Sequence, residues 1–308
     1  MHVIITGGTG LLGRALAEDL ASAGYEVILL SRHPEKATAL PPGVSAERWD
    51  GRTANGWGKL ADGAEAVVNL AGENLAGYGF FPSRWTPQRK EKIVHSRLNA
   101  GAAVVEAVEA AAVKPRVVIQ ASGIGVYGPR HDEELTEDAP IGSDFLAALA
   151  VEWEASTADV EALGVRRAVI RTGAVLCTAG GALTRLVLPF RLFAGGWFGN
   201  GRQWLSWIHL ADQVAAARFL IENPNASGVF NLSAPQPLTS RDFGRAIGRA
   251  LGRPAFLPVP AIAMRLAFGE VATVVLDGQR VIPRRLLDLG FRFRFPDADS
   301  ALRDLLRS

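Results

Sequence analysis

Three glycines near the start of the chain are spaced for phosphate chemistry. In "IITGGTGLLG", Gly7, Gly10 and Gly13 recur every third residue, directly after an apolar run and at the opening of a helical pattern. Gly7 suits a tight turn, Gly10 lets backbone approach a pyrophosphate, and Gly13 lets the helix pack on the strand. The helix start, with Thr9, Leu11 and Leu12 beside the glycines, presents free N–H groups and a positive dipole end to an anion. A plain glycine-rich turn would explain the glycines but not the strand before them and the helix after.

A second pair decides which dinucleotide fits. The next apolar run ends in "LLSRHPEK", with Ser31 and Arg32 and no acid at the point where an NAD site needs a partner for the ribose 2′-hydroxyl. Arginine holds a phosphate by two parallel bonds. The expected cofactor is therefore NADP(H), with Arg32 as the main contact and Ser31 as a hydroxyl donor. The competing reading of Arg32 is a solvated residue in a turn.

Groups for proton transfer are scattered. Ser122 and Tyr127 follow the run "PRVVIQAS", Glu73 follows "NLAG", Glu154 follows Trp153, and His209 sits in "SWIHLADQ". A carboxylate raised by burial suits acid–base work, and histidine titrates near neutrality. Each has a plainer reading. Tyr127 is preferred as a packing residue, Glu154 as a solvated or ion-paired acid, and His209 as a group that bonds backbone and orders the loop before a helix. Ser122 either bonds a substrate oxygen or caps a strand end.

The elements that must position these groups alternate. "HVIIT", "YEVILLS", "VSAERW", "AEAVVNLA", "PRVVIQAS" and "VRRAVIRTG" read as strands. Helices are expected from about Leu11 to Ala23, from about Pro87 to Ala112, and over "FLAALAVEWEAS". Strands separated by helices of this length pair in parallel, so the fold class is α/β, a Rossmann-type doubly wound parallel sheet. "IHLADQVAAARFLIEN" adds a helix and "GVFNLSA" a short strand, and the remainder reads as a smaller C-terminal α/β domain. The expected division is residues 1–172 plus about 208–233 for the nucleotide domain, and about 173–207 and 234–308 for the smaller one. The aromatic, glycine-rich segment from Pro189 to Trp207 is expected to border the cleft. There Trp197, Phe198, Trp204 and Trp207 form either an apolar substrate wall or inter-domain packing.

Composition excludes several classes. The formal charge of +2 is too small to argue for nucleic acid. The single cysteine, Cys177, excludes an internal disulfide and any multi-cysteine metal site, and no metal is expected. "AVLC" around it reads as a buried strand, so Cys177 is a core thiol. The apolar window "AGAAVVEAVEAAAV" is broken by Glu106 and Glu109 and cannot span a membrane. "MHVIITGGTG" begins folded structure at once, leaving no signal peptide, and the expected location is the cytoplasm.

The motifs together resemble the extended short-chain dehydrogenase/reductase superfamily over nearly the whole chain. "TGGTGLLG", "NLAG", "VYG", "WIHLAD" and "GVFNLSA" carry that resemblance. "NLAGEN", "SRLNAG", "WEAS", "LPFRL" and "GQRVIPRRLLDLGFRFRFP" narrow it to the atypical "epimerase family protein" subgroup, whose members are labelled nucleoside-diphosphate-sugar epimerase-like or SulA-like. The resemblance implies a Rossmann domain that binds NADP(H) and a C-terminal domain of its own. It implies that Leu70, Ala71 and Gly72 line the adenosine and pyrophosphate side of the cofactor, with Glu73 opening the loop beyond. It also implies that Arg97 faces the cofactor, and that Ala121 and Ser122 lie beside the nicotinamide ribose. The superfamily often dimerises through helices flanking the sheet. A homodimer is an open expectation, since no patch in the sequence marks such an interface.

The superfamily's usual chemistry uses Tyr-x-x-x-Lys, with the phenol exchanging a proton and the lysine one helical turn on. This chain has Tyr25, Tyr78 and Tyr127, and its last lysine is Lys114. The motif is therefore missing from the helix after the fifth strand. If Glu154 marks the glutamate that often trails the motif, its tyrosine and lysine positions fall near Leu146 and Ala150, and the usual serine or threonine, four residues before Tyr127, falls on Gly123. The arginine that holds a sugar diphosphate falls on Leu205, with Arg202 as a nearby substitute. Two functions stay open. One is an NADP(H)-dependent oxidoreductase or epimerase-like enzyme on an unknown small molecule. The other is a non-catalytic regulatory or redox-sensing protein that binds the same cofactor.

Overall fold

A computed structural model describes residues 1–79 and 81–307. The first half contains β1 (His2–Thr6), α1 (Leu11–Ser22), β2 (Glu26–Ser31), β3 (Val44–Arg48), β4 (Ala66–Asn69), α2 (Pro87–Ala110), β5 (Val117–Gly123), β6 (Glu134–Leu135) and α3 (Phe145–Ala155). The middle contains β7 (Arg166–Thr172), β8 (Ala174–Leu176), α4 (Gly181–Arg191), β9 (Trp204–Leu205), β10 (Trp207–His209), α5 (Leu210–Glu222) and β11 (Gly228–Leu232). The last part contains β12 (Leu238–Thr239), α6 (Ser240–Leu251), α7 (Ala261–Phe268), α8 (Thr273–Leu276), β13 (Arg280–Val281), α9 (Arg284–Asp288) and α10 (Ala298–Arg307).

Seven strands form one sheet in the order β11-β7-β5-β4-β1-β2-β3. Every pairing in it is parallel. Helical crossovers make that necessary, and they cover both faces. Strand β1 shows the result at single-residue period: Val3 and Ile5 pack with Leu16, Leu20 and Leu220, while Ile4 packs with Val67, Val104 and Trp57. Each such fully buried aliphatic contributes roughly 1.5–3 kcal/mol before entropy is counted. The order of connection reverses between β1 and β4. In an open sheet of this kind the crevice for a ligand lies there, beyond the carboxyl ends of the strands.

A third apolar cluster lies off the sheet. Leu176, Leu183, Phe190, Trp207, Phe243, Ile247, Phe295 and Leu302 draw β8, α4, β10, α6 and α10 together. The helices match the expected positions, with small differences at their ends. Helix α2 stops at Ala110, because Ala111 is extended at φ −66°, ψ 131° and no glycine provides a left-handed cap. Among the described residues no helix is long and apolar enough to cross a membrane.

Candidate functional site: a dinucleotide groove and the cavity at its end

The groove follows from the glycine loop. Gly7 holds φ +66°, and a Cβ there would meet the Ala71 backbone at 3.0 Å. A Cβ on Gly13 would fall 2.6 Å from Gly8 Cα and 2.7 Å from Gly7 O, so α1 sits directly on the loop. Gly10 caps α1 without a side-chain bond, and its first turn holds no acid. The N–H groups of Leu11, Leu12 and Gly13 thus stand at an uncapped, electropositive helix end. Gly7, Thr9, Gly10, Ser31, Arg32, Leu70, Ala71, Gly72 and Glu73 line one groove of about 1420 Å³. The side chains of Leu11, Leu12, Ala121 and Ser122 are not part of that lining.

The residues at the far end of the groove suit a 2′-phosphate. Arg32 is exposed, and its guanidinium has no hydrogen-bond or ion-pair partner among the described residues. Ser31 Oγ accepts from His33 N at 3.1 Å, leaving its proton to donate. His33, Lys36 and Arg52 line the same end. The acid there, Asp50, is occupied: its carboxylate accepts from the N–H groups of Arg52 and Thr53 and from the Thr53 hydroxyl. Partial burial works to raise its pKa, but these bonds outweigh it and hold it below the usual value.

At the other end lies a cavity of about 260 Å³. Gly123, Leu146 and Ala150 all line it. Counting from Glu154 and from Tyr127 puts the superfamily's tyrosine, lysine and serine or threonine near these three positions, and all three border one cavity with largely apolar walls. Leu75, Ile124, Leu149, Trp153 and Val274 extend those walls, and Arg97, Thr172, Ser206 and Gln279 add polar atoms. Leu205 lines the cavity, whereas Arg202 is not in its lining and is exposed.

The aromatic segment divides between the two readings left open for it. Of Trp197, Phe198, Trp204 and Trp207, Trp204 alone borders the cavity. Trp207 is fully buried, because β10 pairs with β8 and turns the indole into the third cluster. Trp197 instead carries Arg241 over its ring at 4.9 Å.

The acid–base candidates are tied into the framework. Glu154 meets Arg171 along two edges, at 2.8 Å (Oε1 to Nε) and 2.9 Å (Oε2 to Nη2). Ser122 Oγ donates to Glu154 Oε1 at 2.6 Å. Burial alone would lower the Arg171 guanidinium, but the bonds and charge of Glu154 more than reverse this and raise it. Tyr127 is fully buried and donates to Asn231 Oδ1 at 2.6 Å, while Arg171 donates to its phenol oxygen at 3.2 Å. Burial raises the phenol's pKa. Glu73 accepts from the Tyr78 hydroxyl at 3.2 Å and lies in the groove rather than in the cavity lining. His209 caps α5, accepting from Ala211 N at 3.0 Å, and faces Asp304 at 3.3 Å. Cys177 is buried with its thiol donating to Gly180 O at 3.2 Å.

One charged group in the cavity lacks an acid partner. Arg97, only 6% exposed, donates through Nη1 to the carbonyls of Ile93 (3.0 Å) and Glu73 (3.1 Å). Its Nε is buried and has no hydrogen-bond partner among the described residues. Burial lowers it to about 10, with the Glu73 charge opposing. Trp153 lies under the guanidinium at 4.6 Å, and the indole Nε1 is likewise buried without an acceptor. Each such donor costs about 1–3 kcal/mol if left unsatisfied.

Comparison with known proteins agrees with this geometry. The NAD dependent epimerase/dehydratase family matches residues 3–233, and a domain of unknown function (DUF1731) matches residues 259–305. The chain belongs to the NAD dependent epimerase/dehydratase family. Within it, the chain is one of the epimerase family proteins. It is 38% identical to epimerase family protein SDR39U1 of Mus musculus, covering 99% of this chain and 100% of that one. It is 36% identical to epimerase family protein YfhF of Bacillus subtilis, covering 99% and 98%. The crystal structure of human epimerase family protein SDR39U1 with NADPH superposes at a TM-score of 0.86, with 34% identity and coverage of 100% and 99%.

For an epimerase family protein, part of the site lies beneath the groove and carries no sequence signal. Thr6 Oγ1 donates to Asn69 Oδ1 (2.6 Å), Asn69 Nδ2 donates to Gln120 Oε1 (2.9 Å), and Gln120 Nε2 donates to Ala121 O (2.7 Å). The Thr6 hydroxyl also accepts from Ala71 N at 3.2 Å, fixing the loop that faces Gly7. Nothing in the sequence marks this hydrogen-bond relay, because its members come from three separate strands. His33 and Lys36 stand close to Ser31 and Arg32 in the sequence, whereas Arg52 reaches the same end from beyond β3.

Proposed function

We propose that this protein binds NADP(H) and passes hydride between the nicotinamide and a small molecule held in the 260 Å³ cavity. The observation that carries this reading is the convergence of Gly123, Leu146 and Ala150 on one cavity at the end of the dinucleotide groove. The glycine cradle and the unpartnered Arg32 fit the cofactor. When bound, the nicotinamide would supply the hydride chemistry. The chain's own residues bind and orient. Gly7, Gly10 and the start of α1 hold the pyrophosphate, Arg32 and Ser31 hold the 2′-phosphate, and Leu146, Leu149 and Ala150 exclude water. With no phenol or ammonium in the described lining, the proton step lacks the superfamily's usual donor, which forgoes about 10²–10⁴-fold of acid–base assistance.

That same missing phenol and ammonium favour a second reading, a regulatory protein that reports on NADP(H). Turnover separates the two. Reduced cofactor is incubated with a panel of small carbonyl compounds and its absorbance followed. Oxidation by any member supports the oxidoreductase. Tight NADPH binding with no oxidation across the panel supports the regulator. A cytoplasmic location belongs to the same proposal, supported by the single, buried, unpaired Cys177.

A further inference from the structure

One side chain of the cavity, Arg97, points to the class of molecule it takes. Arg97 is its one cation in the described lining, and no carboxylate lies within ion-pair distance of it among the described residues. The two acids in the lining are engaged elsewhere. Asp144 caps α3 by accepting from Ala147 N at 2.8 Å, and Asp277 pairs with Arg265 at 3.3 Å. Arg97 is held in place on one edge by the Ile93 and Glu73 carbonyls and on its face by Trp153, so its orientation is set before any ligand arrives. Its Nε is enclosed beside Gly72, while its Nη2 makes no hydrogen bond among the described residues. A guanidinium fixed through Nη1 with Nη2 free can donate to a carboxylate oxygen.

We infer that Arg97 anchors a carboxylate of the substrate, so that the cavity takes a small monoanion with an apolar body. This rests on the reading of the cavity as the substrate's seat beside the nicotinamide. The apolar body follows from Leu75, Ile124, Leu149 and Val274 around the rest of the wall. The small size follows from the volume, which is below the ~300–1,000 Å³ of ordinary ligand pockets and is shared with the end of the cofactor. The cofactor's own phosphates have a separate cradle at the start of α1 and a separate set of cations around Arg32.

Binding tests this without turnover. The protein saturated with NADP⁺ is titrated calorimetrically with butanoate and 4-methylpentanoate, with the two matching primary amides, and with methylphosphonate. The carboxylates are expected to bind about 10–100-fold tighter than the amides. Arg97→Gln is expected to abolish that preference, Arg97→Lys to keep part of it, and each to weaken the carboxylates at least ~10-fold more than NADPH. Equal binding of acid and amide, no binding of either acid, or a preference for methylphosphonate overturns the assignment. So does an Arg97→Gln variant that loses NADPH as fully as it loses the carboxylate. The acid–amide comparison on the unaltered protein stands even if Arg97→Gln does not fold. A carboxylate that binds without oxidising NADPH upholds the anchor while counting against hydride transfer, so the two readings fail separately.

Discussion

Glu154 and Arg171 join α3 to strand β7 of the sheet through two parallel hydrogen bonds, at 2.8 and 2.9 Å, with side chains 14% and 6% exposed. Ser122 on β5 completes the contact from the neighbouring strand. On the helix where the superfamily carries a catalytic pair, the acid one turn beyond Ala150 serves as a structural clasp.

Removing one partner of this clasp leaves a buried charge. Glu154→Ala is expected to destabilise the protein by about 3–5 kcal/mol, read from urea unfolding. A double replacement, Glu154→Leu with Arg171→Met, is expected to recover much of that loss. A cost near zero for Glu154→Ala would mean that the pair is screened like a surface bridge.

Arg32 is the residue expected to set the preference between cofactors. Arg32→Ala should weaken NADPH by about 10–100-fold and leave NADH nearly unchanged, as followed by fluorescence titration. An unchanged ratio of the two affinities would return Arg32 to the status of a solvated turn residue.

Gly13 is where α1 presses on the phosphate loop. Gly13→Ala places a Cβ 2.6 Å from Gly8 Cα, and both neighbours there are backbone that cannot rotate away. The expected cost is roughly 1–3 kcal/mol of stability, with NADPH affinity falling alongside. Gly24, with nothing within 4 Å of its added Cβ, lies outside the loop. Gly24→Asn is the control and should leave NADPH binding intact.

His209 makes stability depend on pH. Burial lowers its pKa from 6.5, with the nearby Asp304 and Asp212 charges opposing. The unfolded chain therefore binds more protons than the folded one between the lowered value and 6.5, so stability falls as pH drops through that window and its share is constant above it. His209→Asn keeps an acceptor for the N–H groups at the start of α5 and removes the titration. Unfolding curves at pH 5 and pH 8 should differ less for the variant than for the parent, and an equal difference would assign the pH dependence to other groups.

The sheet was legible because its strands are buried on both faces and separated by helices, which leaves long apolar runs punctuated by glycine. The cradle of Gly7, Gly10 and Gly13 was legible because close backbone approach admits only glycine. Counting along the superfamily's motifs marked Gly123, Leu146 and Ala150 as empty catalytic positions, and the structure brings all three to one cavity. Partnerships across the sheet were not legible. Glu154 could be read as an ion-paired acid, but its partner Arg171 lies on β7, and pairing at that sequence distance leaves no local pattern. Trp207 looked like Trp204 in the sequence, and only the pairing of β10 with β8 sends one inward while the other faces the cavity.

A crystal structure with NADPH bound tests the central claim most directly. The expected result places the 2′-phosphate within bonding distance of Arg32 and the nicotinamide C4 in the cavity bounded by Gly123, Leu146 and Ala150, with open space between it and Arg97. A nicotinamide directed away from that cavity, or a 2′-phosphate out of reach of Arg32, would contradict it.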